Sequence, residues 1–458
     1  MKETILERLS AFGTGLRFED LPSEVVARAN DCFFDFVGCY YGAVKRDNMS
    51  QIVRGIAAMN PTQESGIWGT GVKCGTAEAA LAMGTVGYHL EYDDGISVSG
   101  HWGSASIPAS FLAVERSGGD GRELLTSIIA GYEVGCRISR MFSPRLLKKH
   151  IHFPCTMGAF GAAAGYARGS GASKEELTGG LSLAGLFPVG AYSTATGGAR
   201  GKALYSGWPN YLGINALRLS QLGLTGDADL MEAPDGFANA VGLAPLTEEY
   251  LEEAGRDLGK DFRTMQVYFK PYPCCRWLHA PVYALLGLMR EQGIRREDIE
   301  AIDIGGPEFA MMYNTRSGYE SKVTCQYSIP YSVGAAAWFG KLGLDEFEEP
   351  ARTDPELMEF IQRIHMRVDE QLQAKFPQVF GVVLTLTLKD GRQFQTRQGT
   401  PWGPDVPASQ AELIEKFRML TRNVMAPEDQ EEWVTLYRKG FQREGSFARV
   451  LALTGKVV

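Results

Sequence analysis

Residues 156–167 read Thr-Met-Gly-Ala-Phe-Gly-Ala-Ala-Ala-Gly-Tyr-Ala, a run of almost wholly small and apolar side chains. The run is too short to span a bilayer, which takes about 20 apolar residues. It suits a helix buried on all sides, where glycine and alanine let neighbouring backbones approach closely. Because glycine lowers helix propensity, such a helix depends on tertiary packing. The stretch therefore predicts a core of closely packed helices.

Helical signals continue on both sides of this run, up to about residue 260. Leu21-Pro22-Ser23-Glu24 is a helix start signal, and apolar residues recur at helical spacing from Val25 to Val37. A second start signal, Gly121-Arg122-Glu123-Leu124, precedes a segment rich in alanine and isoleucine. The sequence thus predicts a helical domain over residues 1–267.

From residue 268 the pattern changes to strands interleaved with helices. Residues 299–306 alternate in polarity, and residues 380–397 form a hairpin pattern around the turn Lys389-Asp390-Gly391-Arg392. Helical patterns lie between these strands, at about 279–292, 326–340 and 355–374. Strands mixed with helices over this length predict a smaller α+β lid domain, residues 268–401.

Helical patterns return at 408–420 and 427–439, and these helices are too few to fold alone. We therefore expect residues 402–458 to complete the helical domain, which makes the lid an insertion. The predicted fold class is mainly α with an inserted α+β domain: a large all-helical domain formed by both chain ends, plus the lid. A cleft between two such domains is a favoured ligand site.

Composition narrows the class of protein. The chain has 458 residues, which exceeds what one hydrophobic core usually supports. Its net charge of −8 argues against nucleic acid as a partner, because phosphate binding needs a basic face. The charged N-terminus lacks the apolar segment of a signal peptide, and no apolar run is long enough for a membrane span. The eight cysteines include no C-x-x-C pair. We expect a cytoplasmic, reducing location.

Residues 89–108 concentrate titratable side chains in a loop rich in glycine and serine, directly after the Ala-rich run 77–87. The segment holds two of the six histidines of the chain and three carboxylates. Glu91 and His101 are the first candidates for an acid and a base of unlike pKa. A solvated acidic loop is the alternative interpretation.

Two further segments before residue 268 place polar groups in apolar surroundings. His152 precedes the buried Gly/Ala helix, and it is a candidate either for catalysis or for satisfying that helix N-terminus. The glycine-rich segment from Thr196 to Lys202 ends in a cation, but it lacks the G-x-x-x-x-G-K-[ST] spacing of a phosphate loop. Lys202 is therefore a candidate for binding a substrate or a surface lysine.

A stronger candidate for a functional site is the segment Tyr268-Phe-Lys-Pro-Tyr-Pro-Cys-Cys-Arg-Trp-Leu-His279. We expect a helix to start near Pro273, which is tolerated in a first turn. Free N–H groups at that start, together with Lys270, Arg276 and His279, would form a carboxylate-binding site. Cys274 and Trp277 are expected in the core. Further on, Tyr331 could donate a proton or simply pack.

No cofactor fingerprint is present. The sequence has no Gly-x-Gly-x-x-Gly after a strand, no H-E-x-x-H and no nucleophile elbow. Glu91, Asp93, Asp94 and His101 could ligate a metal by residue type, but their pattern is acid-heavy and unspecific. We expect neither a cofactor nor a metal.

In this order the segments resemble the MmgE/PrpD family, which includes 2-methylcitrate dehydratase, cis-aconitate decarboxylase and iminodisuccinate epimerase. The resemblance covers nearly the whole chain, and its motifs are specific for the family but weak for any one activity. They are His89-Leu-Glu91-Tyr-Asp93-Asp94, His101, Lys202, Lys270-Pro-Tyr-Pro-Cys-Cys-Arg276 and Ser328-Ile-Pro-Tyr331.

The resemblance implies a helical domain built from both chain ends, an α+β lid and a homodimer. By motif position it places catalytic roles on Glu91, His101, His152 and Tyr331. The pocket would also hold Lys202, Lys270 and Cys275. Three residues depart from the decarboxylase-like pattern, which argues against a strict cis-aconitate decarboxylase: Gly95 in place of a hydroxyl residue, Trp102 in place of proline and Cys275 in place of histidine.

We therefore expect a cofactor-independent enzyme that acts at a carbon α to a carboxylate in a small di- or tricarboxylic acid. Fixed cations, here Lys202, Lys270, Arg276 and His279, would neutralise the carboxylate and the developing enediolate. His101, with His152 as second choice, would move the proton. A 2-methylcitrate dehydratase-like lyase comes first, then an epimerase or isomerase, then a decarboxylase. A non-catalytic carboxylate-binding member is a further alternative.

Overall fold

Helices dominate the first half of the chain. The computed structural model describes residues 3–186, 190–193, 198–312, 318–376 and 379–458. Up to residue 117 the helices are α1 (Ile5–Gly15), α2 (Ser23–Ala43), α3 (Met49–Ala57), α4 (Thr76–Tyr88) and α5 (Trp102–Ser117). They continue as α6 (Gly121–Lys148), α7 (Phe153–Ser170), α8 (Lys174–Ala184), α9 (Leu204–Gln221), α10 (Phe237–Ala240) and α11 (Glu248–Gly255).

Two short antiparallel strand pairs connect these helices. One pair joins β1 (Ser65–Gly66) to β2 (Lys73–Cys74). The other joins β3 (Gly95–Ile96) to β4 (Val267–Tyr268), with Gly95 opposite Tyr268. The second pair fastens the loop that follows α4 to the segment that precedes the α+β part.

Helix α7 contains the quoted stretch 156–167, and every residue of that stretch is buried. The helix packs against α5, α6 and α9. Glycines supply the close approach that the sequence predicts: a Cβ at Gly213 of α9 would lie 2.6 Å from the carbonyl oxygen of Ala159 and 2.7 Å from the backbone nitrogen of Ala163. The helices therefore pack at distances that only glycine permits at this crossing.

This contact predicts opposite outcomes for two helical glycines. Gly213→Ala should lower the free energy of unfolding by about 1–3 kcal/mol, because the methyl group would meet backbone atoms of α7. Gly55→Ala, on the exposed face of α3 with no atom within 4 Å of its Cβ, should raise it by about 0.5–1 kcal/mol through helix propensity. The midpoint of urea unfolding, followed by circular dichroism, measures both. Equal effects of the two substitutions would contradict the close crossing.

The α+β part contains a four-stranded sheet with the order β6-β5-β7-β8. Its strands are β5 (Ile299–Gly306), β6 (Ile364–Val368), β7 (Gly381–Leu388) and β8 (Gln393–Gly399). The predicted hairpin is confirmed, because β7 and β8 pair antiparallel around the expected turn. The helices are α12 (His279–Gln292), α13 (Glu308–Met312), α14 (Lys322–Gln326), α15 (Ile329–Phe339), α16 (Glu349–Arg352), α17 (Pro355–Ile361) and α18 (Glu370–Ala374).

The predicted helix over 355–374 is wrong. A strand, β6, separates α17 from α18 and pairs parallel with β5 at the edge of the sheet. Only Ile364 of β6 is buried. An edge strand with one buried side chain has almost no alternation to distinguish it from a helix face, so tertiary pairing decided the conformation.

The chain returns to helix in α19 (Gln410–Thr421), α20 (Pro427–Lys439) and α21 (Ser446–Thr454).

Buried apolar residues form two clusters. The larger draws on the segments before residue 270 and after residue 412, together with Leu344; the smaller is formed mainly by residues 274–388. The division at residues 268 and 402 stays a prediction that these clusters support. The architecture confirms a mainly α fold with a small α+β part. Within the described ranges, no helix combines the length and apolar character that crossing a bilayer requires.

Candidate active site

The loop between α4 and α5 carries the acidic segment, and it is buried. Glu91, Asp93 and Asp94 are each at most 2% exposed. Glu91 has a backbone φ of 57°, in the left-handed region that non-glycine residues rarely adopt. The solvated-loop interpretation is therefore wrong, and the loop is held in a conformation that its surroundings must enforce.

Two lysines hold the Glu91 carboxylate. The Lys202 ammonium donates to Oε2, and the Lys270 ammonium donates to Oε1 at 3.0 Å and to the Glu91 carbonyl at 3.1 Å. Lys202 lies in the single turn Arg200–Ala203, and residues 196 and 197 of its glycine-rich segment lie outside the described residues. Burial and the nearby Lys270 ammonium lower the pKa of Lys202, and the nearby Cys275 opposes this shift. Both lysines thus form ion pairs with the carboxylate of Glu91.

Asp93 and Asp94 are buried beside this cluster. One Asp93 oxygen, Oδ1, lies 3.8 Å from Lys270 Nζ, while Asp94 accepts from the Tyr132 hydroxyl at 2.6 Å and from the Gly103 N–H at 2.8 Å. Burial raises the pKa of Asp93 to about 6 and the pKa of Asp94 to about 7. In the part of the chain that the structure describes, no three His, Cys, Asp or Glu side chains are grouped to hold a metal ion.

His101 is the residue immediately before α5, and its tautomer follows from one hydrogen bond. Nδ1 lies 2.8 Å from the Asp94 carbonyl oxygen. A carbonyl can only accept, so Nδ1 carries the hydrogen and Nε2 is the basic nitrogen. Burial, together with the Lys270 ammonium, lowers the pKa of His101 to about 3. The ring is therefore neutral at physiological pH and available as a proton acceptor.

His152 precedes α7 and is also buried. Its side chain makes no capping hydrogen bond to the helix, so the capping interpretation is wrong. The ring stacks on Tyr205 with centroids 3.9 Å apart, and Nδ1 has no hydrogen-bond partner among the described residues. Burial and the nearby His101 lower the pKa of His152 to about 3. A second neutral imidazole thus lies close to the first.

Arg276 is held between two rings. Its guanidinium carbon lies 4.0 Å from the Tyr268 ring centroid and 4.5 Å from that of Phe380. The guanidinium donates to the hydroxyl of Ser97 and, at 3.2 Å, to that of Thr400. Among the described residues it pairs with no carboxylate, and its buried Nε has no acceptor. It is a fixed planar cation that has no carboxylate partner in the described part of the chain.

One cavity, of about 90 Å³, brings five of the predicted residues together. The predicted residues that line it are Glu91, His101, His152, Cys275 and Arg276. The helical part supplies the first three of these residues, and the segment after β4 supplies the other two. The cavity therefore combines a carboxylate, two neutral imidazoles and one unpaired cation, which are the elements needed to bind a carboxylic acid and move a proton.

Four predicted residues lie elsewhere. Lys202 and Lys270 bind Glu91 and do not line the cavity. The helix starts at His279 and not near Pro273, and the His279 ring is hydrogen-bonded to the Cys274 carbonyl at 3.0 Å. The expected carboxylate site at that helix start is thus not assembled. The Tyr331 hydroxyl donates to the Glu346 carbonyl at 2.6 Å inside the smaller core cluster.

The cavity also contains residues that sequence reasoning missed. Tyr268 and Tyr327 line it, four residues or fewer from positions that were singled out. Three rings at its edge, Trp277, Phe309 and Phe380, were likewise missed, and Trp277 had been expected in the core. Tyr268 reaches the cavity because its strand β4 pairs with β3, where it lies opposite Gly95. Each of these strands has only two residues, so the sequence contains no alternation of polarity from which the pairing could be predicted.

The three departures from the decarboxylase-like pattern have different structural meanings. A Cβ at Gly95 would lie 2.5 Å from the Tyr268 hydroxyl oxygen, so that hydroxyl takes the space of a side chain at this position. The Trp102 indole is buried in the helical core and donates to Ser99 at 3.2 Å. Cys275 lines the cavity, and burial raises the pKa of its thiol, which keeps it neutral.

The depressed pKa values predict how the two imidazoles titrate. With histidines labelled at Cε1, the NMR signals of His101 and His152 should show neutral rings from pH 8 down to pH 5, assigned by loss of each signal in His101→Asn and His152→Asn. Their folded pKa values lie below the unfolded value of about 6.5, so their contribution to stability is present above pH 6.5 and lost as pH falls toward about 3. A midpoint near 6.5 for either ring would contradict this.

Comparison with known proteins agrees with the architecture. The MmgE/PrpD N-terminal domain matches residues 7–247, and the MmgE/PrpD C-terminal domain matches residues 272–439. The chain is similar to the cis-aconitate decarboxylase of Mus musculus, at 22% identity over 96% of this chain and 91% of that protein. It is also similar to the cis-aconitate decarboxylase of Homo sapiens, at 24% identity with coverages of 91% and 88%, and to a cis-aconitate decarboxylase-like protein of Aspergillus oryzae, at 23% with 91% and 90%. The chain belongs to the MmgE/PrpD family.

Proposed function

We propose that the protein is a lyase that moves a proton at the carbon α to a carboxylate of a small di- or tricarboxylic acid. One observation carries the proposal: the neutral imidazoles of His101 and His152 line the same cavity as Arg276, a cation with no carboxylate partner among the described residues. Arg276 is partly buried and its shielded Nε has no acceptor among the described residues, so an anionic ligand would supply the counter-ion that the protein does not. The cavity therefore suits an anionic ligand next to a base.

The proposed proton transfer follows from this arrangement. Arg276 binds the substrate carboxylate through two N–H groups and stabilises the negative charge that develops on it as the α-proton leaves. His101 Nε2 accepts that proton, while the Asp94 carbonyl holds the ring in the required tautomer. The imidazolium that forms can then return the proton to a leaving hydroxyl or to carbon, and His152 is the second candidate for this step.

Dehydration is our first choice of outcome. Loss of water needs a base for the α-proton and an acid for the β-hydroxyl, and one neutral imidazole of the cavity can accept the α-proton and then, as the imidazolium that forms, deliver it to the leaving hydroxyl. Decarboxylation is the second candidate, since the curated relatives named above are cis-aconitate decarboxylases. In that reaction CO₂ leaves first, and the carbanion takes its proton from an imidazolium, formed when the ring binds a proton before the step. Epimerisation, in which the proton returns to the other face of the carbon, completes the alternatives.

Deuterium incorporation tests the proposal. In D₂O, incubation with a panel of dicarboxylic acids (malate, 2-isopropylmalate) and tricarboxylic acids (citrate, 2-methylcitrate, cis-aconitate) should place deuterium at the α-carbon of substrate or product for at least one acid, detected by NMR, and released CO₂ should separate decarboxylation from dehydration. Arg276→Gln should raise KM by about 100-fold, the effect of losing a charge-assisted bidentate contact. If binding occurs without exchange for any acid of the panel, the protein is a non-catalytic carboxylate-binding member. The same assay after chelation tests the expectation that no metal takes part.

The homodimeric state of the protein stays a prediction. The resemblance implies a homodimer, and light scattering on the purified chain would measure its mass in solution. A mass of about twice the 50.1 kDa of one chain is the expected result. A monomer with full proton-exchange activity would contradict the predicted dimer without affecting the proposed chemistry.

A further inference from the structure

The charges around the cavity limit how many carboxylates a substrate can bring. Arg276 is the one cation that both lines the cavity and lacks a carboxylate partner among the described residues, because Lys202 and Lys270 are bound to Glu91. Glu91 itself faces the cavity as an acceptor. A tricarboxylate would therefore bring two carboxylates that find no free cation in the cavity, against one for a dicarboxylate, and either of them placed near Glu91 would meet a like charge.

The side of the cavity next to Arg276 is formed by aromatic rings. Trp277 packs against Phe309 and Phe380, with ring centroids 5.1 Å and 4.9 Å apart. All three rings line the cavity, and each is only partly buried. We call these three residues the ring wall. Phe153, on the helical part, lines the same cavity. Partly exposed rings grouped in this way bind hydrocarbon, because contact with a ligand removes their apolar surface from water.

We propose that the substrate presents one carboxylate to Arg276 and carries a branched alkyl or aryl arm that lies on the ring wall. This inference rests on the proposed function and narrows its substrate class to acids with a hydrocarbon substituent, with tricarboxylates disfavoured. The guanidinium between Tyr268 and Phe380 fixes the position of the carboxylate. Because Phe380 belongs both to this clamp and to the ring wall, an arm on the carbon chain of the bound acid reaches the wall directly.

Three unreactive succinate derivatives test the inference by equilibrium binding. Calorimetry would compare succinate, phenylsuccinate and propane-1,2,3-tricarboxylate, which differ only in what the second carbon carries: hydrogen, a phenyl ring or a carboxymethyl group. Phenylsuccinate should bind at least about 10-fold more tightly than the other two, the expected effect of burying one ring. Equal affinities, tighter binding of the tricarboxylate, or no binding of any of the three would overturn the inference.

A substitution in the ring wall tests whether its residues cause the preference for phenylsuccinate over succinate. Phe309→Ala should reduce the advantage of phenylsuccinate over succinate to within about 2-fold, while the affinity for succinate changes little. Phe339→Ala, which removes an exposed ring at the end of α15, is the matched control and should leave the preference intact. A preference that survives Phe309→Ala overturns the assignment to the ring wall.

The two proposals fail separately. Deuterium exchange with unsubstituted acids, without any preference for phenylsuccinate, would overturn the inference and leave the proposed function standing. A clear preference for phenylsuccinate, without deuterium exchange into any carboxylic acid that carries an α-hydrogen, would overturn the proposed function and leave the binding assignment standing.

Discussion

His101→Asn should lower kcat by about 100-fold or more, the usual effect of losing a general acid or base. Asparagine retains an N–H group that can donate to the Asp94 carbonyl, so the loop should keep its conformation. What it loses is the basic Nε2, the nitrogen that would take the α-proton. The measurement is the steady-state rate of α-proton exchange at saturating substrate, with KM expected to change by less than about 5-fold.

The control for this substitution is His365→Asn, which removes an exposed imidazole on β6 and should leave kcat unchanged. If the two cavity imidazoles act in one proton transfer, the His101→Asn/His152→Asn variant should lose less than the product of the two single effects. Turnover near that of the wild type in His101→Asn, with an unchanged melting temperature, would remove His101 from the mechanism.

Lys270→Met should lower the free energy of unfolding by about 3–5 kcal/mol, the cost of leaving a buried charge without its partner. The Lys270 ammonium is fully buried and donates both to the Glu91 carboxylate and to its carbonyl. Methionine fills similar space but offers no donor, so Glu91 loses one of its two cations. Adding Glu91→Gln in the same chain should restore part of the loss, because a neutral amide is cheaper to bury than a carboxylate.

Urea unfolding measures these changes, and Lys389→Met is the matched control. Lys389 is exposed in the hairpin turn, and its replacement should change stability by less than about 0.5 kcal/mol. If Lys270→Met costs as little as the control, the ammonium is dispensable for holding Glu91. If Lys270→Met instead raises KM for every acid with no loss of stability, Lys270 would contact the substrate, as the sequence alone had suggested.

Much of the fold could be predicted because its signals are local. The buried run in α7, the helix over 279–292 and the hairpin of β7 and β8 each follow from periodicity and turn residues within one segment. The predictions of secondary structure were wrong where the local sequence pattern is weak. The strand β6 has one buried side chain, and the helix start near Pro273 gave way to a start at His279.

The candidate site divides in the same way. Residue type and motif position singled out Glu91, His101, His152, Cys275 and Arg276, and the structure places all five on one cavity. The same reasoning also selected His279 and Tyr331, whose polar groups are used by nearby backbone carbonyls. A histidine or tyrosine can take part in catalysis or can hydrogen-bond a buried backbone carbonyl. The residue type is the same in both cases, so the sequence alone could not tell a catalytic residue from a structural one.

The sequence by itself determined the helical core, the presence of a small α+β part as a change of pattern, and the short set of polar side chains from which a site could be built. Only the tertiary structure decided what those side chains do. Lys202 and Lys270 lie 111 and 179 residues along the chain from Glu91, yet both bind its carboxylate, which leaves Arg276 as the cavity cation with no carboxylate partner among the described residues. Burial also keeps the two imidazoles neutral. Charge pairing and desolvation depend on distance and on the exclusion of water, and both arise only when remote segments pack together.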